Sequence, residues 1–257
     1  MISAIVVLGL ATLSSAHTAA WAPGMYCKGG NQTTDNPNTD TAVNPLYQLP
    51  QEDWWFQHDR NCDSYPPPAG EFLEIPAGGS INVELAHNRA QTTLSFNGQF
   101  ASDWPDGQDH PDDWNASPNC LSDGALHTSN ESTTAGTAFA ISYVSELADV
   151  TMENLVVFST LRHTPWKREA AYAVPAAMPA CPEGGCICAW VWVPHLCGIS
   201  NMYMHGFKCN VTGATSTTPV APAKPPVYCA DDASLCVPGA KQMIAWNREP
   251  HSHLFCP

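Results

Sequence analysis

Two short apolar runs on either side of a tight turn constrain this chain more than any other feature. Glu71-Phe72-Leu73-Glu74-Ile75 leads into Pro76-Ala77-Gly78-Gly79, and Ser80-Ile81-Asn82-Val83-Glu84-Leu85 follows. In the second run Ile81, Val83 and Leu85 fall on one side and Ser80, Asn82 and Glu84 on the other, the period of a half-buried strand. Thr137 to Val144 repeats the pattern, with Phe139, Ile141 and Tyr143 opposite Ala138, Ala140 and Ser142. Leu155 to Phe158, Ala189 to Val193 and Met202 to Cys209 read as further strands. Helical periodicity is nearly absent, and 23 prolines and 17 glycines interrupt the chain. Short strands separated by turn-rich segments predict an all-β, antiparallel β-sandwich decorated by long loops. The longest are residues 17–70, rich in Pro, Asn, Thr and Asp, and the acidic stretch 98–136. A loop of that second length inside a compact domain is usually functional.

The first sixteen residues have the form of a secretory signal, with the apolar run Ile5 to Ala11 followed by the small residues Ser14-Ser15-Ala16. The run is too short to span a bilayer. The expected organisation is therefore a signal peptide over 1–16 and a single β-sandwich domain over 17–257. Within that domain, 219–257 forms a loop-rich C-terminal extension. Eleven cysteines in a secreted chain point to a disulfide framework with one thiol left over. Cys27 with Cys62 is the expected pair at the N-terminal end, whereas Cys186 and Cys188, two apart on a strand, share a face and are poorly placed to join each other. Sequons at Asn31, Asn130 and Asn210 agree with secretion as a glycoprotein, on exposed loops. The formal charge of −14 disfavours nucleic acid and anionic membranes, which require clustered Lys and Arg. A neutral partner fits better, and a monomer is the expectation.

Cleavage after Ala16 gives the mature chain an N-terminal histidine, His17. One residue then carries two nitrogen donors, the α-amine and the imidazole Nδ1, which can close a chelate ring on one ion. A second histidine would complete a T-shaped set of three nitrogens, a tetragonal arrangement that copper(II) favours. His127, in the long loop just before a strand, is favoured as that second ligand; His110, His163 and His205 compete with it, and spacing does not separate them. Tyr203 shares a strand face with His205, Phe207 and Cys209, where its phenol could fill an axial position. Asn201, two residues earlier, could donate a hydrogen bond there. Trp21 and Tyr26, close in sequence to the amine, are candidate surfaces for stacking sugar rings, and Trp54, Trp55, Trp104 and Trp114 are weaker ones.

Several segments resemble the fungal lytic polysaccharide monooxygenases of auxiliary-activity family fourteen. They are His17-Thr18-Ala19-Ala20-Trp21, Gly24 to Cys27, Asp53-Trp54-Trp55-Phe56, Leu73 to Gly79, Cys181 to Trp190, Asn201-Met202-Tyr203 and Gly206 to Gly213. The resemblance runs from His17 to about Trp246 and implies a longer C-terminal segment, so the ending of 219–257 at Pro257 reads as a truncation or an altered gene model. It implies a secreted, immunoglobulin-like sandwich that binds one copper ion through His17, His127 and Tyr203, with Asn201 nearby. It also implies oxidative cleavage of xylan lying on cellulose, using dioxygen or hydrogen peroxide and an external electron donor.

The expected function is thus a copper-dependent monooxygenase that cleaves insoluble plant cell-wall polysaccharide. The alternatives are a brace protein that binds or carries copper without attacking sugar, and a metal-free wall-binding module.

Overall fold

A computed structural model of the chain describes residues 17–116, 126–194 and 201–245. The expected signal sequence, Cys120, Cys197 and Cys256 lie outside them, and so does the expectation of an unpaired eleventh cysteine. Among the described residues, eight strands form two sheets. The smaller places β1 (Ala19–Trp21), β3 (Ser80–Ala86) and β6 (Glu169–Ala173) side by side, all antiparallel. The larger has the order β2 (Leu73–Pro76), β8 (Tyr203–Thr212), β7 (Cys186–Trp192), β4 (Thr137–Ser142) and β5 (Val156–Leu161). One pair departs from the antiparallel expectation: β2 runs parallel to β8, with Leu73 opposite Cys209.

The principal core lies between the sheets. From β3 it takes Ile81, Val83 and Leu85, the residues whose alternation announced the strand; from β7 it takes Cys186, Cys188, Trp190 and Trp192. The intervening β7 residues Ile187, Ala189 and Val191 face the other way. They are buried as well, in a second cluster with Trp54, Phe56, Met204 and Met243. β7 therefore reads as a continuous apolar run because both of its faces are covered. Part of the cover over the second face comes from Leu46, Trp54 and Phe56, in a stretch expected to be loop that holds a short helix α1 (Gln51–Trp54); Val150, Met152 and Leu155 add to it beside Met243.

Disulfides fix the ends of these layers. Cys27 joins Cys62 as expected, and Cys186 and Cys188 take separate partners, Cys181 and Cys209. Cys229 and Cys236 close a small loop near the C-terminal end. Of the three sequons, Asn210 falls on β8 rather than on a loop, opposite Glu74 of β2. No helix among the described residues is long and apolar enough to cross a membrane.

Candidate metal centre

The long loop is not structureless where it is described. Trp104 and Trp166 pack edge to face at 5.2 Å, Trp114 meets Trp104 at 5.0 Å, and Leu126 is buried against the group. His110 lies flat on Trp114 with ring centroids 3.6 Å apart and pairs with Asp106 at 2.7 Å, while Lys167 sits 3.5 Å over Trp104. This small core anchors Leu126, and the next residue is His127. His127 adopts φ +51°, in the left-handed region that non-glycine side chains seldom occupy. Such strain persists where packing over-determines it, and it turns the imidazole toward the start of β8.

There three elements meet. The Tyr203 hydroxyl, at the first position of β8, lies 2.7 Å from Nε2 of His127 and 3.3 Å from Nδ1 of His17. The two imidazoles are nearly parallel, 21° between planes with centroids 6.2 Å apart. The Nδ2 of Asn201 is 3.4 Å from the same Nε2 of His127. Trp192 stacks on Tyr203 at 4.4 Å and also touches His127 at 5.3 Å, so the phenol is clamped from the core side.

Burial sets the protonation states. It pulls His127 down to about 4, with His17 beside it adding to the drop, so His127 is neutral near pH 7. It also holds the Tyr203 phenol well above its usual range, against the smaller opposing effects of Asn201 and Arg60. A neutral phenol donates to a neutral imidazole, so the Nε2 of His127 carries a lone pair toward the centre of the group. The donor set is thus an Nδ1, an Nε2 and a phenol oxygen, converging with no carboxylate among them. That set fits a borderline metal such as copper better than a hard, oxygen-seeking cation.

The competing histidines are elsewhere. His110 is tied to Asp106 and Trp114. His163 is exposed and meets the Glu131 carbonyl at 3.1 Å. His205 is sealed in the core, accepting from the Ala20 N–H at 3.2 Å and donating to the Ala42 carbonyl at 2.9 Å. The two nominated stacking residues need correction. Trp21 is 0 % exposed and donates its indole N–H to the Ala86 carbonyl; Tyr26 is 6 % exposed. Neither offers a ring face to a polymer: Trp21 is packed into the core between the sheets, and Tyr26 shows only a margin, beside Trp55 and Lys208 on the other face of the larger sheet.

One residue near the site went unread in the sequence. His87 directly follows β3, and extending the register of β1 and β3 places it opposite Thr18, beside His17. Burial lowers it to about 4, Asp106 pulling the other way and His17 adding to the drop, and its Nε2 is buried without a hydrogen-bond partner among the described residues. The signal was available: His87 continues the inward series Ile81, Val83, Leu85.

A family model described as lytic polysaccharide monooxygenase AA14 matches residues 1–256. The chain belongs to that family. Similar proteins include the AA14 family lytic polysaccharide monooxygenase B of Talaromyces rugulosus, 39 % identical over 251 residues that cover 91 % of this chain and 82 % of the relative. Monooxygenase B of Trametes coccinea (strain BRFM310) is 35 % identical over 254 residues, 95 % of this chain and 58 % of the relative. Monooxygenase A of the same fungus is 31 % identical over 266 residues, 98 % and 59 % respectively. The chain spans a little under three fifths of the length of these two Trametes proteins. Membership in the AA14 family accounts for the motif segments noted above.

Proposed function

We propose that this chain is a secreted, copper-dependent polysaccharide monooxygenase, made as a precursor with a signal peptide over 1–16 and active as a monomeric domain over 17–257. The observation that carries the reading is the convergence of Nδ1 of His17 and Nε2 of His127 on the Tyr203 hydroxyl, supported by family membership. His17 would hold the ion through its imidazole and, once cleavage follows Ala16, through its α-amine; His127 would supply the third nitrogen and Tyr203 a phenol oxygen. Copper would supply the one-electron chemistry that activates dioxygen or hydrogen peroxide, with electrons from an external donor.

The protein's own contributions follow from the geometry. His127 is held neutral by burial, so binding need not displace a proton from it. The α-amine, with an ordinary pKa of about 7.7–8.0, must lose its proton to bind, so affinity should weaken in acid. Tyr203 is fixed by Trp192 and kept protonated, which leaves it a weak neutral donor. Asn201 orients the shared edge of His127 and Tyr203. The substrate reading is a wall polysaccharide in which a C–H bond beside the glycosidic link is hydroxylated and the link then breaks. Xylan on cellulose is favoured by the motif resemblance, and the charge of −14 agrees with a neutral polymer.

The test joins mass spectrometry of the secreted N-terminus, copper stoichiometry, and incubation of the copper-loaded protein with xylan-coated cellulose and a reductant. His17→Ala and His127→Ala should each weaken copper binding by at least about a hundredfold, the range seen when a metal site loses its support. A mature chain that starts elsewhere, or either variant retaining full affinity, overturns the ligand assignment. One tightly bound copper without oxidised oligosaccharides leaves a copper carrier instead of an enzyme.

A further inference from the structure

We propose a second glycan-binding site, remote from the brace, in the cleft formed by Tyr26, Trp55, Asp63, Glu146 and Lys208. The cleft has a volume of about 500 Å³, within the ~300–1,000 Å³ span of small-molecule sites. Lys208 lies five residues beyond Tyr203 on β8, roughly 16 Å at about 3.3 Å per residue. It also has the opposite parity, so the cleft is on the outer face of the larger sheet, away from His17 and His127.

The local construction explains the opening. Gly206, on the same face of β8, has Phe56 so close that a Cβ would come within 2.6 Å of its ring. Phe56 and Gln57 both take left-handed backbone angles, φ +48° and +59°. The chain thereby sends Phe56 into the core and leaves its neighbour Trp55 half-buried at the cleft, where Trp54 and Phe56 support it edge-on at 5.5 and 5.1 Å.

The lining selects the ligand. Asp63 accepts from His58 through Oδ2 at 2.7 Å, while its Oδ1 is buried without a partner among the described residues. That oxygen lacks the donor which a buried carboxylate oxygen normally finds. Glu146 adds a second carboxylate, and it stands near enough to Tyr26 to raise the phenol further beyond the effect of burial, to about 12. The phenol therefore remains a neutral donor. Two carboxylates exclude an anion, and the Lys208 ammonium, bonded to the Ser145 carbonyl, opposes a simple cation. A neutral sugar ring meets every demand. Its C–H face suits Trp55, and its hydroxyls donate to Asp63 and Glu146 and accept from Tyr26. The cleft would grip a short stretch of neutral wall glycan while the brace works on another part of the same surface.

The choice of a wall glycan rests on the polysaccharide reading above. Binding is measured on copper-free protein, so failure here and failure of the brace to bind copper are separate results. The probes are xylohexaose and cellohexaose, titrated individually by calorimetry and tryptophan fluorescence. The expected result is saturable binding of at least one, weakened about tenfold in Trp55→Ala, which removes roughly 1.4 kcal/mol of ring contact. Glu146→Gln, at an exposed position where folding is not at stake, should weaken it several-fold. It keeps the test alive if Trp55→Ala folds poorly by thermal melting. Absence of saturable binding to both sugars, or affinities unchanged in the folded variants, overturns the proposal.

Discussion

At the scale of single residues, the candidate centre depends on one hydroxyl placed between two imidazoles. Tyr203→Phe keeps the ring stacked on Trp192 at 4.4 Å and removes only the oxygen 2.7 Å from His127. Asn201 remains 3.4 Å from the same nitrogen, so the lost hydrogen bond is partly replaced. The copper-free variant should lose about 1 kcal/mol in urea unfolding, the net worth of one such bond. It should still take up one copper ion, with an altered electron paramagnetic resonance spectrum; an identical spectrum would put the phenol out of the ion's reach. His17, His127, Tyr203 and Asn201 were legible as candidates: Tyr203 and Asn201 lie at the start of a strand, His127 in the long loop that precedes one, and His17 at the terminus that cleavage after Ala16 would leave. Trp21 and Tyr26 do not stack beside the candidate centre, because nearness in sequence to His17 carries no information about which way a packed turn points its rings.

At the scale of elements, the candidate centre is held by structure that touches none of its donor atoms. Leu126 is 2 % exposed against Trp104 and Trp166, and it fixes the residue before the strained φ of His127. Leu126→Ala should cost about 2–5 kcal/mol if the cavity fails to collapse. Copper affinity should fall with it, although neither donor atom nor net charge changes. Calorimetric titration of folded variant with copper checks this; an undiminished affinity would show that the aromatic core only fills space. This core was invisible in the sequence, since Trp104, Trp114 and Trp166 follow no period and come together only through the loop's path. The strands divide along the same line. β3 and β7 were legible from alternation and from a continuous apolar run. β6 was not, because Glu169-Ala170-Ala171-Tyr172-Ala173 alternates in burial but hardly in hydropathy. β1, three residues long, is a strand only because β3 offers it an edge.

At the scale of the whole molecule, the two sheets are joined by a buried histidine whose charge state sets an acid limit on folding. His205 belongs to β8 in the larger sheet, accepts from the Ala20 N–H of β1 in the smaller, donates to the Ala42 carbonyl and stacks on Trp190 at 5.0 Å. It can fill these roles only as the neutral ring, because a second proton would occupy the nitrogen that accepts from Ala20. Burial lowers its pKa to about 3; the Ala42 carbonyl opposes the drop and Arg60 adds to it. In the unfolded chain the ring binds its proton near its ordinary value of about 6.5. The unfolded state therefore holds more protons between those two values, and stability that is complete above about pH 6.5 drains as the pH falls toward 3. From pH 6 to pH 4 this one residue should remove on the order of 2 kcal/mol. His205→Gln retains an acceptor for Ala20 and a donor for Ala42 but cannot titrate. It should start less stable, through poorer contact with Trp190, and lose less on acidification. Urea unfolding of copper-free protein at intervals between pH 4 and 6.5 reads the difference directly, because the carboxylates and His87 are common to both proteins and cancel. Two parallel stability curves would mean that the link between the sheets tolerates a charged imidazole.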